Sequence, residues 1–198
     1  KIPDRNGGYA GGRKLSETVI VIDAGHGGSD IGSTSASGVR EKDLNLEVAR
    51  SVAETLDTDG SRIIMTREDD RDLSLYERTE VANVANADLF ISIHQNNDKS
   101  SKAQGASAYY FSRQGYFSEA GRMLAQHIVD RMALELDVPA LPAQGRNYAV
   151  LRETEMTAIL AEPVFISDSK LAEKLQNPEF IRRQASTFYN GLVDYFSK

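Results

Sequence analysis

The 198-residue chain contains no cysteine, which removes disulfides, thiolate metal sites, iron–sulfur clusters and cysteine nucleophiles from consideration. Any metal must be held by nitrogen and oxygen. Histidine is scarce too: His26, His94 and His127 are the three in the chain. Apolar runs such as Val19-Ile20-Val21-Ile22 are strand-sized, against the roughly 18 residues of a membrane span. No span is expected. Positive charge is not in excess: 23 basic side chains face 29 acidic ones, a formal charge of −6, with no long Lys/Arg block. The electrostatic term that dominates binding to nucleic acid or an anionic bilayer is therefore missing. Nucleic acid is not an expected partner. The chain opens on Lys1 rather than Met, so a leader or companion domain is expected outside these residues.

What is present is the composition of an ordinary globular domain, 40% hydrophobic and 26% charged. The length allows burial of about 70% of the surface an unfolded chain exposes. Residues 1–14 hold four of the 15 glycines and no hydrophobic period. A flexible lead-in over 1–17 and one domain over 18–198 are expected.

Residues 19–22 form a β-branched run ending in Asp23-Ala24-Gly25-His26-Gly27-Gly28, the pattern of a buried strand followed by a glycine-rich turn. Leu44, Val48, Val52 and Leu56 recur at helical spacing from Asp43 onward, which puts Glu41 at a helix entrance. Residues 62–66 read as a second strand, and Ser74-Leu75-Tyr76-Glu77 as a capping box opening a helix to about Ala85. Residues 89–94 are a third strand with Leu89, Ile91 and Ile93 on one face and Phe90, Ser92 and His94 on the other. A strand over 106–111, the longest helix over 116–136, a loop over 138–149 and a strand over 157–161 follow. Asn177-Pro178 starts the closing helix. Alternating strands and helices imply an α/β domain whose sheet carries helices on both faces.

Ligand sites in open α/β sheets lie beyond the carboxyl ends of the strands. His26, His94 and Glu162 fall at or just past such ends, and Glu41 joins them if the loop before its helix folds back. Two imidazoles and a carboxylate are the donor set of a hydrolytic zinc centre with one position left for water, and a second carboxylate nearby would serve as base. Blander explanations exist for each residue alone. A histidine after a glycine-rich turn is commonly a hydrogen-bonded loop residue, and Glu41 suits the positive end of a helix dipole. Glu162 resists such an explanation, because a carboxylate ending an apolar strand is costly to bury without a cation. His127 sits among Leu124, Ile128 and Asp130 and reads as a surface or packing residue. The stretch Glu68-Asp69-Asp70-Arg71-Asp72 lacks the glycine and terminal Glu of an EF-hand and reads as a solvated turn.

Six segments in order, VIVIDAGHGGSDIG (19–32), EKDLNLEVA (41–49), MTREDDRDLSLYERTEVAN (65–83), ADLFISIHQN (87–96), GASAYYF (105–111) and AILAEPVFISD (158–168), carry a resemblance over about residues 18–196. They resemble the zinc-dependent N-acetylmuramoyl-L-alanine amidases of the family-3 type. The resemblance implies a twisted, mostly parallel six-stranded sheet flanked by helices. It implies one Zn²⁺ ion held by His26, Glu41 and His94, with Glu162 as catalytic acid–base, and hydrolysis of the amide between N-acetylmuramic acid and L-alanine of the stem peptide. Asn96 and Arg78 are candidate substrate-pocket groups, Arg78 being equally suited to a structural ion pair.

The implied partner is peptidoglycan and the implied location extracytoplasmic, with a monomer expected and wall-targeting modules expected outside this chain. Pro163, Ser107 and Asp168 depart from the family's usual residues without removing a ligand. The 67 residues between His94 and Glu162 are accounted for by a strand, a helix and a loop, so an open site without an inhibitory helix is expected. A zinc peptidase would be favoured by a His-x-x-Glu pair, whereas His26 and Glu41 are 15 residues apart. A wall-binding module with a decayed site would not need all four polar residues.

Overall fold

The computed structural model describes residues 14–100, 102–171 and 173–197. The elements run β1 (Val19–Ala24), α1 (Glu41–Asp57), β2 (Arg62–Met65), α2 (Leu75–Val84), β3 (Leu89–Ile93), β4 (Ser107–Arg113), β5 (Tyr116–Phe117), α3 (Glu119–Leu136), β6 (Gln144–Arg146), α4 (Ala149–Arg152), β7 (Thr157–Glu162) and α5 (Pro178–Phe196). One mixed sheet results, in the order β2-β1-β3-β7-β4-β5, with β6 also paired to β4. Pairings among β2, β1, β3 and β7 are parallel, whereas β4 runs antiparallel to β7. Six strands make up the expected sheet, and the two-residue β5 adds a seventh.

Strand alternation sorts the core into two layers. Ile20, Ile22, Leu89, Ile91, Ile93, Ile159 and Ala161 pack under α1, α3 and α5, joining Val48, Leu124, Ile128, Phe188 and Leu192. Each of the Ile, Leu, Val and Phe side chains taken fully from water contributes about 1.5–3 kcal/mol. Val21, Phe90, Ala158 and Leu160 point the other way, toward Ala82 of α2 and Val150 and Leu151 of α4. Helices therefore cover both faces. The expected caps are present: Ser74 Oγ accepts from Glu77 N at 3.2 Å while Glu77 Oε2 accepts from Ser74 N at 2.8 Å, and Asn177 Oδ1 accepts from Glu179 N at 2.8 Å.

Three sequence expectations shift. Residues 1–13 of the lead-in lie outside the described residues; Leu15–Glu17 form a 3-10 turn with Leu15 in the core, so packing begins before Thr18. The helix expected from 116 starts at Glu119, because Tyr116 and Phe117 pair back onto Ser112 and Arg113 and Ser118 Oγ caps the first turn through Gly121 N. At 18 residues it is shorter than α5, with 19. The loop over 138–149 contains β6, whose partner β4 is distant in sequence and so left no local signal, and it leads directly into α4.

Candidate metal centre and active site

Register sets the site. Ala24 of β1 lies beside Ile93 of β3, and Ile93 beside Ala161 of β7, so the three strands end level with one another. His94 and Glu162 are the next residues along their strands, and the turn after β1 brings back His26. The loop between β1 and α1 returns over this edge, with Glu41 N donating to Ser33 O at 2.8 Å. Glu41 becomes the first residue of α1, as its sequence position suggested.

The ligating atoms of His26, Glu41 and His94 all lie within 4.8 Å of one another. Glu41 Oε1 is 3.2 Å from His26 Nε2 and 3.1 Å from His94 Nδ1. Two imidazole nitrogens thus converge on one carboxylate oxygen, an all-N/O set that suits zinc and needs no thiolate. Backbone amides of Ser33 and Gln95 also donate to the Glu41 carboxylate, at 2.9 and 3.1 Å. Burial works to raise Glu41, but its hydrogen bonds to both imidazoles outweigh that and hold it well below the ordinary range. The group stays ionised, as an anionic ligand must. On the far side of the His26 ring, Nδ1 sits 2.8 Å from Asp30 Oδ2, the kind of carboxylate–imidazole contact that fixes the orientation of a metal-binding histidine. Asp30 was missed in the sequence, where nothing distinguishes it from any polar loop residue.

Two glycines are required by this crowding. A Cβ on Gly25 would lie 2.3 Å from the His94 ring, and one on Gly32, whose φ is +63°, would lie 2.7 Å from Glu41 Oε2 and from His26 Cδ2.

Glu162 closes the other side. Its Oε2 accepts from Ser107 Oγ at 2.9 Å and from Tyr109 Oη at 3.2 Å, both on the antiparallel neighbour β4. Burial raises the Glu162 carboxyl above its usual value, and these two donors only partly offset it. A cleft of about 480 Å³ joins His26, His94 and Glu162 on the α2/α4 side of the sheet, with apolar walls from Leu73, Leu75, Tyr148, Val150 and Leu160. Tyr148, within the loop expected over 138–149, is the N-cap residue of α4, and Val150 lies in that helix.

Arg78 borders the cleft but is 4% exposed. Its Nη1 donates to Asp23 Oδ1 at 2.8 Å and Ala24 O at 2.7 Å, and its Nη2 to His26 O at 2.8 Å. Asp23 is fully buried and accepts further from Thr66 Oγ1 and Ser92 Oγ, each at 2.7 Å. Burial pushes the Asp23 carboxyl up, yet the Arg78 charge and these donors bring it below the ordinary value. The reasoning that singled out Glu162, a carboxylate ending an apolar strand, applies equally to Asp23; there an arginine supplies the positive charge. Asn96 Nδ2 lies 3.3 Å from Ser107 Oγ, behind Glu162. His127 stays away from the site, with its ring 6.4 Å from that of Tyr195.

The Amidase_3 family, N-acetylmuramoyl-L-alanine amidase, matches residues 20–194. The chain is 35% identical over 179 residues to the uncharacterized protein YqiI of Bacillus subtilis, covering 90% of this chain and 85% of that one. It is 32% identical over 177 residues to the N-acetylmuramoyl-L-alanine amidase LytC of the same organism, covering 89% of this chain but 35% of LytC. The crystal structure of an N-acetylmuramoyl-L-alanine amidase from Clostridium difficile 630 superposes with a TM-score of 0.84 at 31% identity, covering 90% of this chain and 96% of that one. With the fold, the level strand ends and these likenesses together, the chain belongs to the N-acetylmuramoyl-L-alanine amidase family.

Proposed function

We propose that this chain is a peptidoglycan hydrolase that cleaves the amide between the lactyl group of N-acetylmuramic acid and L-alanine of the stem peptide, with zinc held by His26, Glu41 and His94. The observation that carries this reading is the convergence of three ligating atoms within 4.8 Å beside a second carboxylate, Glu162, in one cleft. Bound zinc would supply Lewis acidity, acidifying water and polarising the scissile carbonyl.

Glu162 is the acid–base group. It takes a proton from the attacking water and delivers it to the amide nitrogen, which leaves readily only once protonated. The C–O bond forms first, giving a tetrahedral carbon, and the C–N bond then breaks as the nitrogen takes the proton; the new lactyl acid gives up its remaining proton to the freed amine, leaving a carboxylate and the ammonium of L-alanine. Proton transfer of this kind is typically worth roughly 10²–10⁴-fold. Ser107 and Tyr109 hold Glu162 Oε2 in place, and burial keeps its basicity above that of an exposed glutamate. Arg78 shapes the cleft wall, its Nη donors being engaged by Asp23 and the carbonyls of Ala24 and His26. Asn96 supports the Ser107 side.

The enzyme would act outside the cytoplasm on the cell wall, as a monomer. A net charge of −6 gives little attraction to an anionic wall, so strong targeting would come from modules beyond these residues. Among the described residues no helix is long and apolar enough to cross a membrane. Digestion of purified peptidoglycan tests the reaction: intact glycan strands and intact peptides with free L-alanine amines are expected. A new terminus inside the stem peptide would instead mark a peptidase.

A further inference from the structure

His26 has φ 61°, in the left-handed region that residues with side chains rarely adopt. Surroundings must hold it there. The carbonyls of its turn are gripped by side chains from other elements. Arg67, just past β2 and 2% exposed, donates from Nε to Ala24 O at 2.9 Å and from Nη1 to Asp69 O at 3.0 Å. Its Nη2 donates to Gly25 O at 3.1 Å and to Lys42 O at 2.8 Å. One guanidinium nitrogen therefore bridges the residue before His26 and the residue after Glu41. Asn45 extends the chain of contacts, donating from Nδ2 to Gly25 O at 3.2 Å and accepting from Gln95 Nε2 at 3.3 Å. Gln95 follows His94. Sequence neighbours of all three candidate ligands are thus tied through one buried network.

The outer side of the turn is held as well. Lys42, 4% exposed, donates from Nζ to Gly28 O and Asp70 Oδ2, both at 2.7 Å. Asp70 Oδ1 accepts from Gly28 N at 2.7 Å, and Asp72 Oδ1 from Ser29 N at 2.8 Å. The acidic loop that read as a solvated turn is exposed, yet two of its carboxylates are bonded to the ligand turn.

We propose that Arg67, with Lys42 and Asp70, is a clamp that sets the spacing of His26 and Glu41, making Arg67 a positioning residue for the metal. This rests on the metal centre proposed above. Arginine is needed because its planar fork can reach four carbonyls from three segments at once, which the compact ammonium of lysine cannot. The test uses the whole chain carrying Arg67→Lys. Zinc affinity is read by competition with a chromophoric chelator, ligand geometry by the visible spectrum of the cobalt-loaded protein, and folding by the melting temperature of the metal-free protein.

Loss of an outer partner typically weakens metal binding roughly 10–100-fold, and a rise of that size in zinc Kd with an altered cobalt spectrum is expected. Unchanged zinc Kd and cobalt spectrum in the folded variant would overturn the clamp, whatever happens to the melting temperature. Should Arg67→Lys not fold, Asp70→Ala on the exposed loop reads the same clamp. About a tenfold rise in zinc Kd is then expected, alongside a lower metal-free melting temperature because buried Lys42 loses its carboxylate partner, and an unchanged Kd in the folded variant overturns the clamp. Failure of the wild type to take up zinc or cobalt would instead sink the metal centre itself.

Discussion

Glu41, at the start of α1, and Glu162, at the end of β7, flank the same centre, and their surroundings drive them in opposite directions. Glu41 enters from the helix side, where two imidazoles and two backbone amides surround its carboxylate and keep it ionised far below the usual range. Glu162 lies at the seam where β7 meets the antiparallel β4; burial there outweighs two neutral hydroxyl donors, and its carboxyl is raised. Burial is shared, so what separates them is the charge and number of donors facing each. A permanently ionised carboxylate has the charge a metal ligand needs, and one with raised basicity has the property a proton carrier needs, which is the division of labour proposed above.

Breaking the ligand side should have the largest effect. Glu41→Gln removes the anionic donor. Its zinc affinity is expected to fall by more than the roughly 10–100-fold typical of an outer partner, and zinc that restores stripped wild type should not restore it. Metal analysis and turnover on peptidoglycan read this directly. Breaking the other side separates chemistry from metal binding: Glu162→Gln should retain zinc while turnover drops about 10²–10⁴-fold. Full activity in that variant with zinc bound would reassign the base.

Asp23 provides an internal control, a third buried carboxylate in the same region, paired with Arg78 rather than with imidazoles. Asp23→Asn leaves Arg78 buried without its counter-charge and should cost about 3–5 kcal/mol in urea unfolding. Because the folded Asp23 carboxyl lies below its unfolded value, its stabilisation is complete above the unfolded pKa of about 3.9 and is lost as pH falls through the folded value. Acid titration of wild type should show that loss below about pH 4, and Asp23→Asn should lack it.

The smallest effect sharpens the contrast. Tyr109→Phe removes one donor to Glu162 and should raise that carboxyl further, moving the acid limb of kcat/KM upward by about 0.5–1 pH unit, the equivalent of one ordinary hydrogen bond. An unmoved limb would mean that Tyr109 does not tune the base.

Much of the site was legible because its residues sit where local rules bind tightly. The ends of the strands carrying His94 and Glu162 follow from apolar runs, and the entrance of α1 follows from helical periodicity. The partners were not legible. Asp30, Tyr109 and Arg67 act through contacts whose meaning depends on where distant segments fall: Arg67 meets Gly25, 42 residues away in sequence, and Tyr109 meets Glu162 across 53. The same held for β6, a three-residue strand defined by its pairing to β4.

The missing cysteine left nitrogen and oxygen as the possible ligands, and two of three histidines at strand ends narrowed them further. Those conclusions came from the sequence alone, because residue type and periodicity fix which donors exist and at which end of the sheet they lie. Tertiary structure decided what surrounds each of them. Only the register of β1, β3 and β7 and the return of the loop before α1 bring two imidazoles against one glutamate and leave the other against hydroxyls. The ionisation of a buried carboxylate is set by the charges and dipoles packed around it, and those arrive from every part of the chain.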